Sequence, residues 1–171
     1  SASCKMTDTD IKNCTVSGGN KLGGAVYVRI NGSLTVESGC VISDNTTPGG
    51  KGEAVYLESG GTFNIAGDAQ INQANDVFLE KNADVPYVPS KNAKLTVTAP
   101  LTGTHIVARI TPDDYTAGIA AVNASGVDIS AYANRFKITD QNSTTPWKLI
   151  HNGTALVLKQ VTTVIPSTAT W

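Results

Sequence analysis

Apolar residues along the first hundred positions fall in short alternations separated by Gly- and Asn-rich turns, and one set of them is repeated. Ala25-Val26-Tyr27-Val28, Ser33-Leu34-Thr35-Val36 and Ile42 answer to Ala54-Val55-Tyr56-Leu57, Thr62-Phe63-Asn64-Ile65 and Ile71. Val26 to Val55, Leu34 to Phe63, Val36 to Ile65 and Ile42 to Ile71 are each 29 residues apart. A fixed period of this size marks a stacked repeat architecture. Three strands per period, too short for hairpins, are best satisfied by pairing each with its counterpart one period later, which predicts a parallel β-solenoid with coils ~4.8 Å apart.

Period-2 alternation points Val26, Val28, Leu34, Val36, Val55, Leu57, Phe63 and Ile65 inward, and Tyr27, Thr35, Tyr56 and Asn64 outward. Glycines 23, 24, 32, 39, 60, 61 and 67 are expected to supply positive φ at the corners. Asn45 and Asn75 close the copies and are expected to form a polar ladder onto the neighbouring coil. A partial copy precedes them, with Ile11, Asn13 and Thr15 in the places of Ile42, Asp44 and Thr46. A further copy starts at Asp76-Val77-Phe78-Leu79, only 22 residues after Val55, and continues at Leu95-Thr96-Val97. Between these lies Glu80 to Lys94, a long segment with Pro86 and Pro89 that reads as a protruding loop.

After Pro100 the period is no longer visible. His105 to Ile110, Gly118 to Val122, Arg135 to Ile138, Trp147 to Ile150 and Ala155 to Leu158 read as strands, and Asn152-Gly153 is a hairpin turn signal. The expected division is therefore repeats over 1–100, a β-rich C-terminal capping segment over 101–159 that covers the open end, and a linker-like tail over 160–171. Ser1 to Asp10 already reads as mid-repeat, so the chain is expected to belong to a longer protein.

Composition agrees with an all-β chain: Gly, Thr, Asn and Ser are abundant, and helix-forming runs are missing. Charge is sparse at 16% and nearly balanced, 13 basic against 14 acidic residues, with no run of one sign. Nucleic acid is therefore not an expected partner, and no apolar stretch is long enough for direct membrane insertion as a helix. Cys4, Cys14 and Cys40 lack the spacing of a disulfide framework or zinc site and read as packed thiols, with a Cys4–Cys14 bridge as the alternative. Six Asn-x-Ser/Thr triplets, at Asn13, Asn31, Asn45, Asn123, Asn142 and Asn152, match what chance gives in so Asn- and Thr-rich a chain.

Candidate chemistry is thin. Asp44, Glu53, Asp68 and Asp76 fall in turns and read as scattered around the coil, without the converging carboxylates of a glycosidase or lyase. Asp113-Asp114 reads as a turn, and Gly49-Gly50-Lys51-Gly52 as a corner that lacks the helix of a phosphate loop. His105 and His151 have no neighbours at metal-ligand spacing. No catalytic residue, metal site or cofactor is expected. The feature that stands out is an aromatic row, Tyr27, Tyr56 and Phe78, at one point of successive copies; with Tyr87 in the long loop it forms the candidate binding surface.

Gly23-Gly24-Ala25-Val26-Tyr27-Val28, Gly32-Ser33-Leu34-Thr35-Val36-Glu37-Ser38-Gly39, Val41-Ile42-Ser43-Asp44-Asn45-Thr46 and Gly61-Thr62-Phe63-Asn64-Ile65-Ala66-Gly67 resemble the repeats of bacterial cell-surface proteins with a right-handed parallel β-helix. The likeness extends through Pro100-Leu101-Thr102-Gly103, Ile110-Thr111-Pro112 with Tyr115, and Trp147 to Leu158. The Gly-Gly-Ala-Val element is also similar to the repeat of polymorphic outer-membrane autotransporter passengers, although the Phe-x-x-Asn element of that family is absent. The resemblance implies export, display on or release from a bacterial surface (extracellular or outer membrane), and adhesion or antigenic roles; the reading is a right-handed parallel β-helix of about three coils acting in adhesion to a host protein or glycan. The alternatives are a carbohydrate-active β-helix enzyme, either lyase or hydrolase, and a structural stalk that binds nothing.

Overall fold

Short strands with one apolar side need a pairing that leaves no strand edge open between them, and stacking like on like supplies it. The computed structural model describes residues 2–84, 91–142 and 145–162 and is 45% strand against 5% helix. A partial coil holds β1 (Ser3–Met6) and β2 (Asp10–Lys12), and a full coil holds β3 (Val26–Val28), β4 (Ser33–Val36) and β5 (Val41–Ser43). The next is β6 (Val55–Leu57), β7 (Thr62–Gly67) and β8 (Gln70–Ile71), followed by β9 (Asp76–Leu79) with β10 (Leu95–Leu101) and β11 (Ala108–Pro112) with β12 (Ala120–Ala124). A 3-10 helix, Ser130–Arg135, leads into β13 (Phe136–Ile138), and β14 (Trp147–His151) with β15 (Ala155–Gln160) ends the set. The strands form three sheets, ordered β1-β4-β7-β10-β12-β15-β14, β13-β11-β9-β6-β3 and β2-β5-β8.

This is a parallel β-solenoid of about four turns with a period of ~29 residues. The register follows the repeat: Val55 pairs with Val26 on one side and Val77 on the other, Phe63 with Leu34 and Leu95, and Ile42 with Ile71. Val28, Leu34, Val36, Val55, Leu57, Phe63 and Ile65 are buried, whereas Thr35 and Asn64 stay partly exposed and share an amide-to-hydroxyl bond of 3.3 Å. Val26 is only half-buried, because β3 is the end strand of its sheet and has no neighbour on that side. Cys4 stands in register with Leu34 but is exposed for the same reason, Cys40 is buried, and all three thiols are free.

The parallel coiling runs beyond the visible repeat. β11 pairs in parallel with β9, β12 with β10 and β13 with β11, so coils continue through Ile138. Only inward alternation is needed for this, and Ala108, Ile110 and Pro112 provide it without the Gly-rich motifs that made the earlier period readable. The antiparallel cap is the narrower β14–β15 hairpin, turned at Asn152-Gly153, whose β15 runs antiparallel to β12 and closes the largest sheet. Strand β15 extends through Gln160, which leaves residues 163–171 of the expected tail outside the described residues.

Two corner devices differ from one another. Gly23 and Gly52 do take positive φ (69° and 70°), but Gly24, Gly32 and Gly61 do not. At Gly24 the requirement is space, since a Cβ there would overlap the carbonyl oxygen of Glu53 in the next coil. Asn13, Asn31 and Asp44 take positive φ instead, a conformation their short polar side chains tolerate. The asparagine ladder forms as expected. Asn75 accepts the Asn45 N–H at 2.8 Å through Oδ1 and donates from Nδ2 to the Asn45 carbonyl at 2.8 Å, so its amide brackets the backbone of one buried residue. Asn45 repeats the move one coil down, taking the Cys14 N–H and donating to the Ile11 carbonyl.

A Val55→Asp chain should lose more than about 4 kcal/mol of stability in urea unfolding, because a charge replaces a fully buried methyl pair between two coils. Thr35→Asp, on the outward side of β4, should remain within about 1 kcal/mol of wild type. Asn75→Ala should cost about 2–4 kcal/mol in the same assay by orphaning both backbone polar groups of Asn45.

Candidate functional site

In-register stacking turns equivalent residues into rows, and the outer face of the five-stranded sheet carries two of them. Tyr27, Tyr56, Phe78 and Thr111 occupy one, and Asp76, Arg109 and Lys137 the other. The first row ends in a hydroxyl pair, with Thr111 Oγ1 2.7 Å from Thr139 Oγ1. Tyr27 meets Tyr56 edge-on at 5.3 Å between ring centroids, and Tyr56 lies almost parallel to Phe78 at 5.2 Å.

The aromatic row therefore exists, but it is not the open platform its outward direction implies. Tyr27 is 41% exposed, whereas Tyr56 and Phe78 are buried. Alternation decides which side a residue faces and says nothing about loops on that side. Glu80, at the root of the long loop, accepts the Tyr56 hydroxyl at 2.7 Å and the Ser59 N–H at 3.0 Å. Lys51 places its ammonium 4.5 Å from the Phe78 ring centre and pairs with Asp113 at 3.2 Å. Tyr87 lies outside the described residues.

Two grooves flank the row. One, of about 480 Å³, is lined by Tyr27, Arg29, Ile30 and Asn31 together with Cys4 and Leu34 at the β3 end of the solenoid. The other, of about 500 Å³, lies between the 46–53 loop and the strands β9 and β11. Thr47, Lys51 and Glu53 form its wall, and Asp76, Phe78, Arg109, Thr111 and Thr139 its floor. Here two carboxylates that read as scattered come together. Asp76 accepts the Glu53 N–H at 2.7 Å, and Arg109 Nη2 stands 3.3 Å from Glu53 Oε2 and 3.0 Å from the Ala74 carbonyl. The shortened coil, which starts β9 after 22 residues rather than 29, places Asp76 beside this loop. Arg109 reaches Asp76 through a coil that the sequence repeat no longer marks.

The other candidates are structural. Asp44 takes a hydrogen bond from Ser43, Asp68 takes the Gly39 N–H, and Asp114 takes the Thr116 hydroxyl. His105 packs its ring beside the Ala69 carbonyl, and His151 ends β14. Among the described residues no three His, Cys, Asp or Glu side chains are grouped so as to hold a metal ion.

Burial raises the pKa of the Tyr56 hydroxyl, and its bond to Glu80 adds to that. Tyr115 donates to the Thr139 carbonyl at 2.6 Å; burial, then the charges of Asp140 and Asp76, push its pKa up to about 12. A phenol raised in the folded state stabilises fully below the unfolded value near 10 and loses that contribution as pH rises toward 12. Urea midpoints should therefore fall across that window, and Tyr115→Phe should make the fall shallower; an unchanged slope would remove Tyr115 from the account.

No family model, curated protein or solved structure matches this chain, so the reading of its outer face rests on its own geometry.

Proposed function

We propose that this chain is a non-catalytic segment of a surface-exposed or secreted bacterial β-helix protein, acting in adhesion to a host protein or a glycan. One observation supports the reading above others. Tyr27 and Ile30, 41% and 54% exposed, are the large hydrophobic side chains left exposed among the described residues, and both line the same groove. Arg29 and Asn31 beside them supply polar contacts. An aromatic ring with a polar tip, an aliphatic neighbour and a guanidinium are what energetic centres of interfaces are made of. The repeat scaffold fits such a role because it holds side chains at fixed spacing on rigid strands.

A second reading, a carbohydrate-active enzyme, draws on Glu53 and Asp76 lining one groove. Against it, one Asp76 oxygen holds the Glu53 backbone, and Arg109 faces Glu53 Oε2, which gives both carboxylates structural work. A spacer that binds nothing is the third reading.

Glycan and matrix-protein arrays separate the three. Wild type should give defined signals that fall about tenfold or more in a Tyr27→Ala/Ile30→Ser chain. Tyr56 is left intact, since its buried ring is part of the packing. Equal signals from both chains, or none from either, would end the adhesion proposal. New reducing ends or unsaturated sugars released from a polysaccharide panel, and abolished by Glu53→Gln, would replace it with the enzyme.

A further inference from the structure

The groove between the 46–53 loop and β9/β11 is separate from the Tyr27 patch and is built differently, with a floor of polar groups whose hydrogen-bonding capacity is only partly used. Asp76 is 8% exposed; its Oδ1 takes the Glu53 N–H, and its Oδ2 takes no donor among the described residues. Thr111 and Thr139 share a single bond between two hydroxyls, so one of their two protons has no acceptor there. Thr47 Oγ1 and Arg109 Nε, both from residues lining the groove, are buried without a hydrogen-bond partner. Native proteins leave few such groups, because each costs about 1–3 kcal/mol. Two in residues that line one cavity, beside an Asp76 oxygen and a threonine hydroxyl with capacity to spare, mark it as a place where something else binds.

What that is follows from the chemistry. The groove lining carries two basic side chains, Lys51 and Arg109, and two acidic ones, Glu53 and Asp76; Glu53 pairs with Arg109, and Lys51 with Asp113 outside the lining. A charged ligand of either sign would meet two side chains of its own sign in this lining. The open capacity is an acceptor at Asp76 and a hydroxyl donor at the Thr111–Thr139 pair, and a neutral hydroxyl, donor and acceptor in one group, satisfies both. A peptide offers the same two functions, but in extended form it needs a free strand edge, and β9 and β11 are paired on both sides. A volume of about 500 Å³ is within the range of small-ligand sites. We propose that this groove is a binding site for an uncharged saccharide unit, one or two rings at the end of a glycan, with adjacent hydroxyls bonded to Asp76 and the threonine pair. The proposal rests on the reading of the chain as an adhesion segment and names the class of ligand.

Methyl glycosides of glucose, galactose, mannose and N-acetylglucosamine, with the matching disaccharides, can be titrated into the whole chain and followed by amide NMR. At least one should shift the signals of Thr47, Gly52, Phe78 and Thr111. Asp76→Asn keeps an oxygen for the Glu53 N–H while turning the open acceptor into a donor, so it should melt like wild type and bind about tenfold more weakly. Thr111→Val should weaken binding without loss of fold. The saccharide site is overturned if no sugar in the panel shifts the groove, if the shifts are the same in Asp76→Asn, if they fall only around Tyr27 to Ile30, or if a peptide library titrates the groove and the sugars do not. Array signals lost in the Tyr27→Ala/Ile30→Ser chain but untouched by Asp76→Asn would remove this site and leave adhesion standing. Groove shifts that Asp76→Asn weakens support the site even where the arrays stay silent.

Discussion

Among the described residues, each strand from β1 to β13 pairs with strands about one coil away, and none pairs with another strand of its own coil. That single constraint sets most of what else is seen. It forces like residues into rows, since the parallel register can satisfy all three sheets together only if the period is kept. It makes corners, rather than strands, the places where insertion or shortening is absorbed, as the early start of β9 and the length of the Glu80 to Lys94 segment illustrate. It also concentrates polar bonding at the turns, where the Asn75 amide holds a buried peptide that no strand reaches.

The inward half of this arrangement could be read from residues alone. Val55 between Val26 and Val77, Phe63 between Leu34 and Leu95, and the Asn45–Asn75 ladder follow from spacing and alternation, because a core position is defined by what it must avoid. The outward half could not. Tyr56 and Phe78 point outward as alternation requires, yet are buried by Glu80, Lys51 and the segments that bring them. Arg109 meets Asp76 through a coil whose backbone repeats while its side chains do not, so no motif announces the pairing. Corner glycines were half legible: a glycine marks a tight place, but whether the need is positive φ, as at Gly23, or clearance, as at Gly24, depends on the coil above.

The two grooves, one at the β3 end of the solenoid and one on the outer face of its five-stranded sheet, differ in chemistry. The Tyr27 groove is lined largely by apolar side chains with Arg29 and Asn31 beside them, and the Asp76 groove is polar with charges of both signs. Between them Tyr56 and Phe78 form a packed partition, stiffened by ring stacking and by the Tyr56–Glu80 bond. The partition keeps the two grooves apart.

The β14–β15 hairpin has a kinetic side as well. Its strands meet across a turn of three residues, Asn152 to Thr154, whereas contacts between coils close loops of nearly thirty. Short loops close far sooner than long ones, and hairpins form within microseconds, so this is the local element best able to form ahead of the coils. Once made, β15 offers an edge on which β12 can dock, and each docked coil offers the next. The last part of the chain is thereby placed to act as the seed from which the solenoid zips toward its beginning.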